Sequence, residues 1–530
     1  MFWADRISES AEKRFKDRTK GGLPIIIRDE KTLSGRVHVG SLRGVAIHGL
    51  IDEILTERKI ANAFLYELND FDPMDGLPVY LPKEKYLPFM GMPLYKIPSP
   101  DGKAKNYAEY FGEEFTRVIT KIGFEPEYYR TSDAYKAGKF NEVIGIALRN
   151  SEKIREILKR VSGSDKPSEW YPVNVICPEC GKLSTTKVTN WDGTLVTYTC
   201  GDYVDWAKGC GASGKISPFN GNAKLTWKVD WAAKFSVFDV SVEGGGKDHS
   251  TKGGSRDVAN VISREVFKRE PPLDIPYEFF NAGGKKMSSS KGTGLSAQDI
   301  GELIPPKILR LLLIQKDPKR GIEFVVDGDT IPVLYDTYDK LAENYFHGDN
   351  TDQKRLFSLV HNKEKRANIS ENILPRFSQI AYFSQMPHID IFKEFESQKG
   401  APLTKEDREG IEERIHFASL WIEKYAPEDF KIELQLEIAP QETKDFSREQ
   451  KEALAEVLEY IKSQKKLDGQ ELHTKLHEIR KSSGLVANDF FGALYTTFLG
   501  KPSGPKAGWF FSVLDKNFLE KRLEEVSQNT

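Results

Sequence analysis

Cysteine is scarce in this chain: four among 530 residues, all between positions 177 and 210. A disulfide framework would spread its cysteines more widely, so this clustering excludes one and points to a metal site. Long apolar runs are also missing. Stretches such as "LRLLLI" at 309–314 are far too short to cross a bilayer. The opening "MFWADRISESAEKRFKDRTK" is charged throughout and has no apolar segment of the signal-peptide kind. No charge of one sign dominates: 77 Lys and Arg face 79 Asp and Glu, for a net charge of −2. That balance excludes a globally basic nucleic-acid binder but leaves room for local basic faces. Neither internal repeats nor low-complexity tracts occur. The expectation is a cytoplasmic chain with no membrane segment and about three or four domains.

Turning to what is there, "LPIIIRDE" (23–30) reads as a short buried strand, with three consecutive isoleucines after a proline. Leu42, Val45, Ala46, Leu50, Ile51, Ile54 and Leu55 then recur at helical spacing, and "NAFLYELND" (62–70) returns as an apolar strand. Strand, helix and strand within about 45 residues make a βαβ unit and imply a parallel sheet. Val143, Ile144, Ala147, Leu148, Ile154, Ile157, Leu158 and Val161 predict one amphipathic helix across 143–161, followed by a linker at 162–170. Glycines interrupt the pattern at 244–246 and again within 281–294. Beyond about residue 300 helical periods prevail, clearest at 307–315, 333–345, 408–424, 450–466 and 470–481. An α/β half is followed by an α-helical half.

Three stretches carry chemistry. "RVHVGSLRG" (36–44) sets His38, Gly40, Ser41 and Arg43 at a strand-to-helix bend. It is either a structural turn that happens to hold a histidine or a seat for nucleotide phosphates, where helix N–H groups and the dipole favour an anion. "GGKKMSSSKG" (283–292) packs three lysines and three serines around one methionine, inside glycines. It reads either as a solvated linker or as a loop that stabilises pyrophosphate leaving an α-phosphate. "CPECG" (177–181) pairs with Cys200 and Cys210 downstream. One C-x2-C knuckle with a second cysteine pair fits a structural tetrahedral zinc site, and "TLVTYTC" between them supplies ribbon residues.

Two of these stretches carry a resemblance. "HVGS" at 38–41 resembles the first signature of the class I aminoacyl-tRNA synthetases, and "KMSSS" at 286–290 resembles their second. Ser41 stands where the last histidine is usual, and Ser289 where the second lysine is usual, with Lys291 just beyond. That variant loop followed by "KG" looks like the class I lysyl-tRNA synthetases. So does "KLTWKVDWAAKFSVFDVSVEGGGKDHSTKGGSRDVA" (224–259), which is similar to that family's tryptophan-rich strand and "GKDH" turn. "YTTFLGKPSGPKAGWFFSVLDKNFLEKRL" resembles its closing segment. The resemblance spans nearly the whole chain.

By that resemblance His38, Gly40 and Ser41 contact ATP, Gly246 and Asp248 hold its ribose, and Lys286, Met287, Ser288, Ser289, Ser290 and Lys291 form the mobile loop that stabilises the transition state. Trp227, Trp231, His249, Tyr277 and Thr32 lie where the family binds its amino acid. Glu30 replaces a usual glycine and offers an acceptor for an ammonium, as do Asp70 and Asp72. The implied reaction joins lysine to tRNA(Lys) through lysyl-adenylate, with ATP as substrate, Mg²⁺ screening its triphosphate, and structural Zn²⁺ on Cys177, Cys180, Cys200 and Cys210.

The expected fold is α/β followed by α. A Rossmann-type parallel-sheet catalytic domain is split between 1–170 and 217–300, with a zinc-ribbon-like insertion at 171–216. A helical junction at 301–345 leads to an α-helical anticodon-binding domain at 346–530. A monomer is expected. In "IKSQKKLDGQELHTKLHEIRK" (461–481) and at Trp509, an RNA-facing surface competes with a plain solvated helix and a core tryptophan. The rival readings are a class I synthetase for glutamate, arginine or cysteine, a synthetase-like binding protein without catalysis, and a free-standing nucleotidyl transferase.

Overall fold

A computed structural model describes residues 1–282, 295–326, 328–386, 389–437 and 440–528. Five strands form its central sheet, in the spatial order Leu273–Tyr277, Val242–Gly246, β1 (Ile25–Thr32), β2 (Asn62–Asn69) and β3 (Glu127–Arg130). Every neighbouring pair is parallel. Ile25 lies opposite Asn62 and Thr32 opposite Asn69, so β1 and β2 pair along their full length. The helix Leu42–Glu57 makes the crossover between them, and its apolar positions 42, 45, 46, 50, 51, 54 and 55 are all buried.

Strand order runs outward from β1 in both directions, so the chain reverses its winding between β1 and Val242–Gly246. Ligands of such sheets bind outside the carboxyl ends of the strands at that reversal. Here Ile27 is the β1 residue paired in register with Val242. Farther along, Arg28 and Glu243 meet through their side chains instead. The carboxyl ends of these two strands border a cleft.

The helix expected across 143–161 is two helices, Asn141–Arg149 and Ser151–Ser162. Asn150 separates them, because its side-chain amide donates to the Ile146 carbonyl at 2.8 Å and closes the first helix. Between these helices and the Trp227–Val237 helix, the cysteine region folds as a three-stranded antiparallel sheet of Thr186–Trp191, Val196–Cys200 and Ser213–Ile216.

The described chain divides into two compact units, Met1–Phe324 with Leu341–Ile369, and Val325–Lys340 with Ser370–Thr530. The second is helical. Its helices Lys405–Lys424 and Arg448–Ser463 open on reciprocal caps, Thr404 with Asp407 and Ser447 with Gln450. Leu454, Val457, Leu476, Phe498, Phe510 and Leu523 form the centre of its core. Among the described residues no helix is long and apolar enough to cross a membrane.

Candidate active site

The cleft at the reversal point encloses about 660 Å³. His38, Gly40, Ser41, Glu30, Thr32, Trp227, Trp231, Gly246, Asp248, His249 and Tyr277, eleven residues singled out in the sequence, all line it. His38 is extended, with φ −69° and ψ 152°, and leads into a tight turn at Val39–Ser41 that runs on into the Leu42–Glu57 helix. Neither the turn nor the helix carries a side-chain cap. Helix-start N–H groups are a natural anion seat when no side chain caps them. The helix meets the sheet closely through Gly44, where a Cβ would lie 2.6 Å from Asp29 Oδ2.

Lys286, Met287, Ser288, Ser289, Ser290 and Lys291 lie outside the described residues. The chain on either side of them is described. Phe280 and Asn281, on the strand Phe280–Ala282 that precedes them, line the cleft. After Lys291, Leu295 accepts from Val39 N–H at 3.0 Å and Ala297 N–H donates to Val37 at 2.8 Å, so His38 and Ser296 pair as antiparallel neighbours. The segment following the second signature is thus hydrogen-bonded to the first.

The tryptophans stand on a helix, Trp227–Val237, and not on the strand the resemblance implied. Four-residue spacing puts both indoles on one helical face. Their rings stack at 6.1 Å and 20°, and His249 meets both edge-on at 5.4 and 5.8 Å. Trp227 is 44% exposed and Trp231 is buried. Trp231 Nε1 donates to Glu243. At Gly244 a Cβ would lie 2.3 Å from the Ile275 carbonyl, so this strand passes its neighbour with no room for a side chain.

Buried ions underlie the pocket. Arg28 pairs with Glu67, Glu30 and Glu243, and its Nε donates to Tyr129 at 2.8 Å. Lys234 reaches Glu30 and Glu67 at 2.8 Å and Asp230 at 3.1 Å. Lys224 reaches Asp72 and Asp230, both at 3.0 Å. Burial alone would raise Glu67, yet Lys234 and Arg28 hold it far below the usual carboxylate range. Glu30 moves the other way, because burial outweighs Lys234 and Arg28.

Asp72 also accepts from Thr32 at 2.8 Å and stays in the cleft wall. Asp70, expected beside it, is turned away: Ser132 donates to it from N–H at 2.8 Å and from Oγ at 2.6 Å. Arg43 is likewise buried elsewhere, donating to the carbonyls of Leu313, Lys316 and Asp317. Asp29, Lys31, Asp75, Glu243, Glu278 and Phe279 also line the cleft and were not singled out in the sequence. Several of them share one signal: they sit at or just past the carboxyl end of a parallel strand, where such sheets bind ligands.

The four cysteines converge, with all Sγ atoms within 4.8 Å of one another. Cys177 and Cys210 are 3.6 Å apart, and Cys180 and Cys200 are 3.7 Å apart. A tetrahedron with Zn–S bonds of about 2.3 Å has edges of about 3.8 Å, so the spacing suits that ion. Four thiolates on one ion would fill its tetrahedral shell and leave no open position for a substrate.

In the helical unit Trp509 is 36% exposed rather than core. Lys506 lies 4.0 Å from its ring centroid and the His473 ring 5.0 Å away.

Comparison with known proteins bears on all of this. Residues 1–366 match the family model described as tRNA synthetases class I (K). A lysine–tRNA ligase of Methanosarcina barkeri (strain Fusaro) is 35% identical over 548 residues, covering 99% of this chain and 98% of that one. Lysine–tRNA ligases of Archaeoglobus fulgidus and Pyrococcus horikoshii are each 32% identical, with 99% of both chains covered in each case. The sheet reversal, the paired signatures and these full-length similarities agree, and the chain belongs to the family of class I tRNA synthetases designated K.

Proposed function

We propose that the chain is a lysine–tRNA ligase that activates lysine with ATP and passes it to the 3′ end of tRNA(Lys). The observation that carries this reading is the hydrogen-bonded pairing of Val37–Val39 with Leu295–Ala297, which ties the segment that follows the second signature in sequence to the first signature beside one cleft. A lysine carboxylate oxygen attacks the α-phosphorus, the bond to the bridging oxygen breaks, and pyrophosphate leaves with that electron pair. The terminal ribose hydroxyl of the tRNA then takes the acyl group and releases AMP.

His38, Gly40 and Ser41 hold ATP, and Gly246 with Asp248 holds its ribose. Lys286, Met287, Ser288, Ser289, Ser290 and Lys291 meet the charge that develops on the departing diphosphate. Such groups raise the rate because they bind the transition state more tightly than the substrate. Mg²⁺ enters with the triphosphate as part of the substrate and screens its charge.

Trp227, Trp231 and His249 wall the amino acid, with Thr32, Tyr277 and Glu30 completing its pocket. An aromatic wall suits a long apolar stem ending in an ammonium. The carboxylate-rich lining favours that cation over glutamate. Zn²⁺ on Cys177, Cys180, Cys200 and Cys210 stabilises the small sheet. Residues 346–530 supply the anticodon-binding surface, residues 301–345 join it to the catalytic domain, and the enzyme works as a cytoplasmic monomer.

ATP–pyrophosphate exchange with each amino acid in turn, with and without total tRNA, tests the reading. Lysine-dependent exchange is expected, and Lys286→Ala should slow it at least 100-fold with unchanged folding. Exchange with a different amino acid alone would overturn the lysine assignment.

A further inference from the structure

Lys31 is a charge that the reading above leaves unused. It is the next-to-last residue of β1, opposite Leu68 of β2, and it lines the cleft. Seven carboxylates line that cleft with it, and among the described lining residues it is the one lysine, with no arginine. Its ammonium makes no hydrogen bond or ion pair among the described residues, whereas the neighbouring Arg28, Lys224 and Lys234 are each held by two or more carboxylates. With no partner among the described residues in hydrogen-bonding or ion-pair distance, this ammonium is open to an anion that enters the cleft.

Strand alternation says on which side it lies. Successive side chains of a strand point to opposite faces. Arg28 and Glu30 face the helix Trp227–Val237, where both meet Lys234 or its partners. Asp29 faces the Leu42–Glu57 helix, where its carboxylate is 3.5 Å from His48 Nδ1 and crowds Gly44. Lys31, two residues beyond Asp29, shares that second face. The turn bearing His38, Gly40 and Ser41 opens that same helix. Lys31 therefore stands on the nucleotide side of the cleft and not on the tryptophan side.

We infer that Lys31 is a further catalytic residue, contacting the α-phosphate of ATP from the end of β1. This rests on the assignment of the cleft to ATP. As the lysine carboxylate closes on the α-phosphorus, negative charge builds on the non-bridging oxygens, and an ammonium already at the strand end meets it without rearrangement. Burial brings this ammonium down to about 8, against the opposing pull of Asp29 and Glu30, so at pH 7 about a tenth of it is uncharged in the free enzyme. An arriving phosphate restores the charge.

Two experiments on the full-length enzyme test this. In the first, Lys31→Met and Lys31→Arg are compared in tRNA-containing pyrophosphate exchange. Lys31→Met should raise KM for ATP about tenfold and lower kcat about tenfold, leaving KM for lysine within twofold, and Lys31→Arg should recover most of the loss. The second uses unmodified enzyme, so the folding of variants does not enter. Amine acylation mapped by peptide mass spectrometry should mark Lys31 in free enzyme, with ATP and Mg²⁺ protecting it and lysine alone failing to. Normal ATP parameters in Lys31→Met, a change confined to KM for lysine, or acylation indifferent to ATP each overturn the inference. Failure of the unmodified enzyme to exchange with lysine would strike the assigned reaction instead, and ATP protection would still decide the role of Lys31.

Discussion

Beneath the cleft the interior is built from ions; in the core around Phe498 of the helical unit it is built from rings and aliphatic side chains. Arg28, Lys224 and Lys234 are each under 5% exposed and share five carboxylates, Glu30, Glu67, Asp72, Asp230 and Glu243. Phe490, Phe498, Phe510, Phe511, Leu519 and Leu523 occupy the corresponding depth in the other unit. An apolar interior is the cheaper way to stabilise a fold, because buried ions give up their hydration and recover it only through well-placed partners. An ionic floor therefore marks a place where something other than stability is being held. In this molecule it carries the strand ends, Trp231 and Glu30 that face the pocket.

The contrast can be broken most forcefully at Lys234. Lys234→Met leaves Glu67, Asp230 and Glu30 facing one another with a cation removed, and should lower stability by about 5 kcal/mol or prevent folding. Denaturant melts followed by fluorescence would read the loss. Adding Glu67→Gln to that variant should recover part of it, since one stranded charge goes. In the helical unit the damage comes from deleting surface, not charge. Phe498, fully buried against Phe511 and Phe518, should cost about 3–4 kcal/mol as Phe498→Ala, with a cavity that binds small apolar probes.

Asp52 gives the smallest effect and the sharpest sign. Burial lifts its carboxyl to about 6, above its ordinary 3.8, despite the amide of Asn62. The folded protein then holds a proton between pH 4 and 6 that the unfolded chain has released. Stability falls as pH rises through that window and stays lower above it. Asp52→Asn should remove the slope and raise stability at pH 7 by about 2 kcal/mol, with no gain at pH 4.

The residues themselves show what could be read in advance. Ile25–Thr32 and Asn62–Asn69 were legible because burial imposes an apolar run on each, Leu42–Glu57 because it imposes a helical period, and the later helices followed for that second reason. The break at Asn150 was hidden, since apolar spacing carries across it and a single side-chain hydrogen bond ends the helix. Trp227 and Trp231 line the cleft, but from a helix and not from a strand. Arg43 and Asp70 illustrate the limit for single residues. Each has suitable chemistry and the right neighbourhood in sequence, and each is spent on backbone or a nearby serine. Lys31 and Glu243 went unnoticed because their position becomes meaningful only once the strand order is known.

The pairing of Val39 with Leu295 has one further consequence. Two stretches about 250 residues apart along the chain are clasped by main-chain hydrogen bonds, which depend on no particular side chain. Everything strung between them, the cysteine-bearing sheet included, is a closed circuit hanging from that clasp. Within that circuit, a longer or shorter connection between strands of the cysteine-bearing sheet costs only slowly growing loop entropy and leaves the Val39–Leu295 hydrogen bond in place. Accessories can be grafted at those connections while the clasp that brings residues 37–39 to residues 295–297 stays closed.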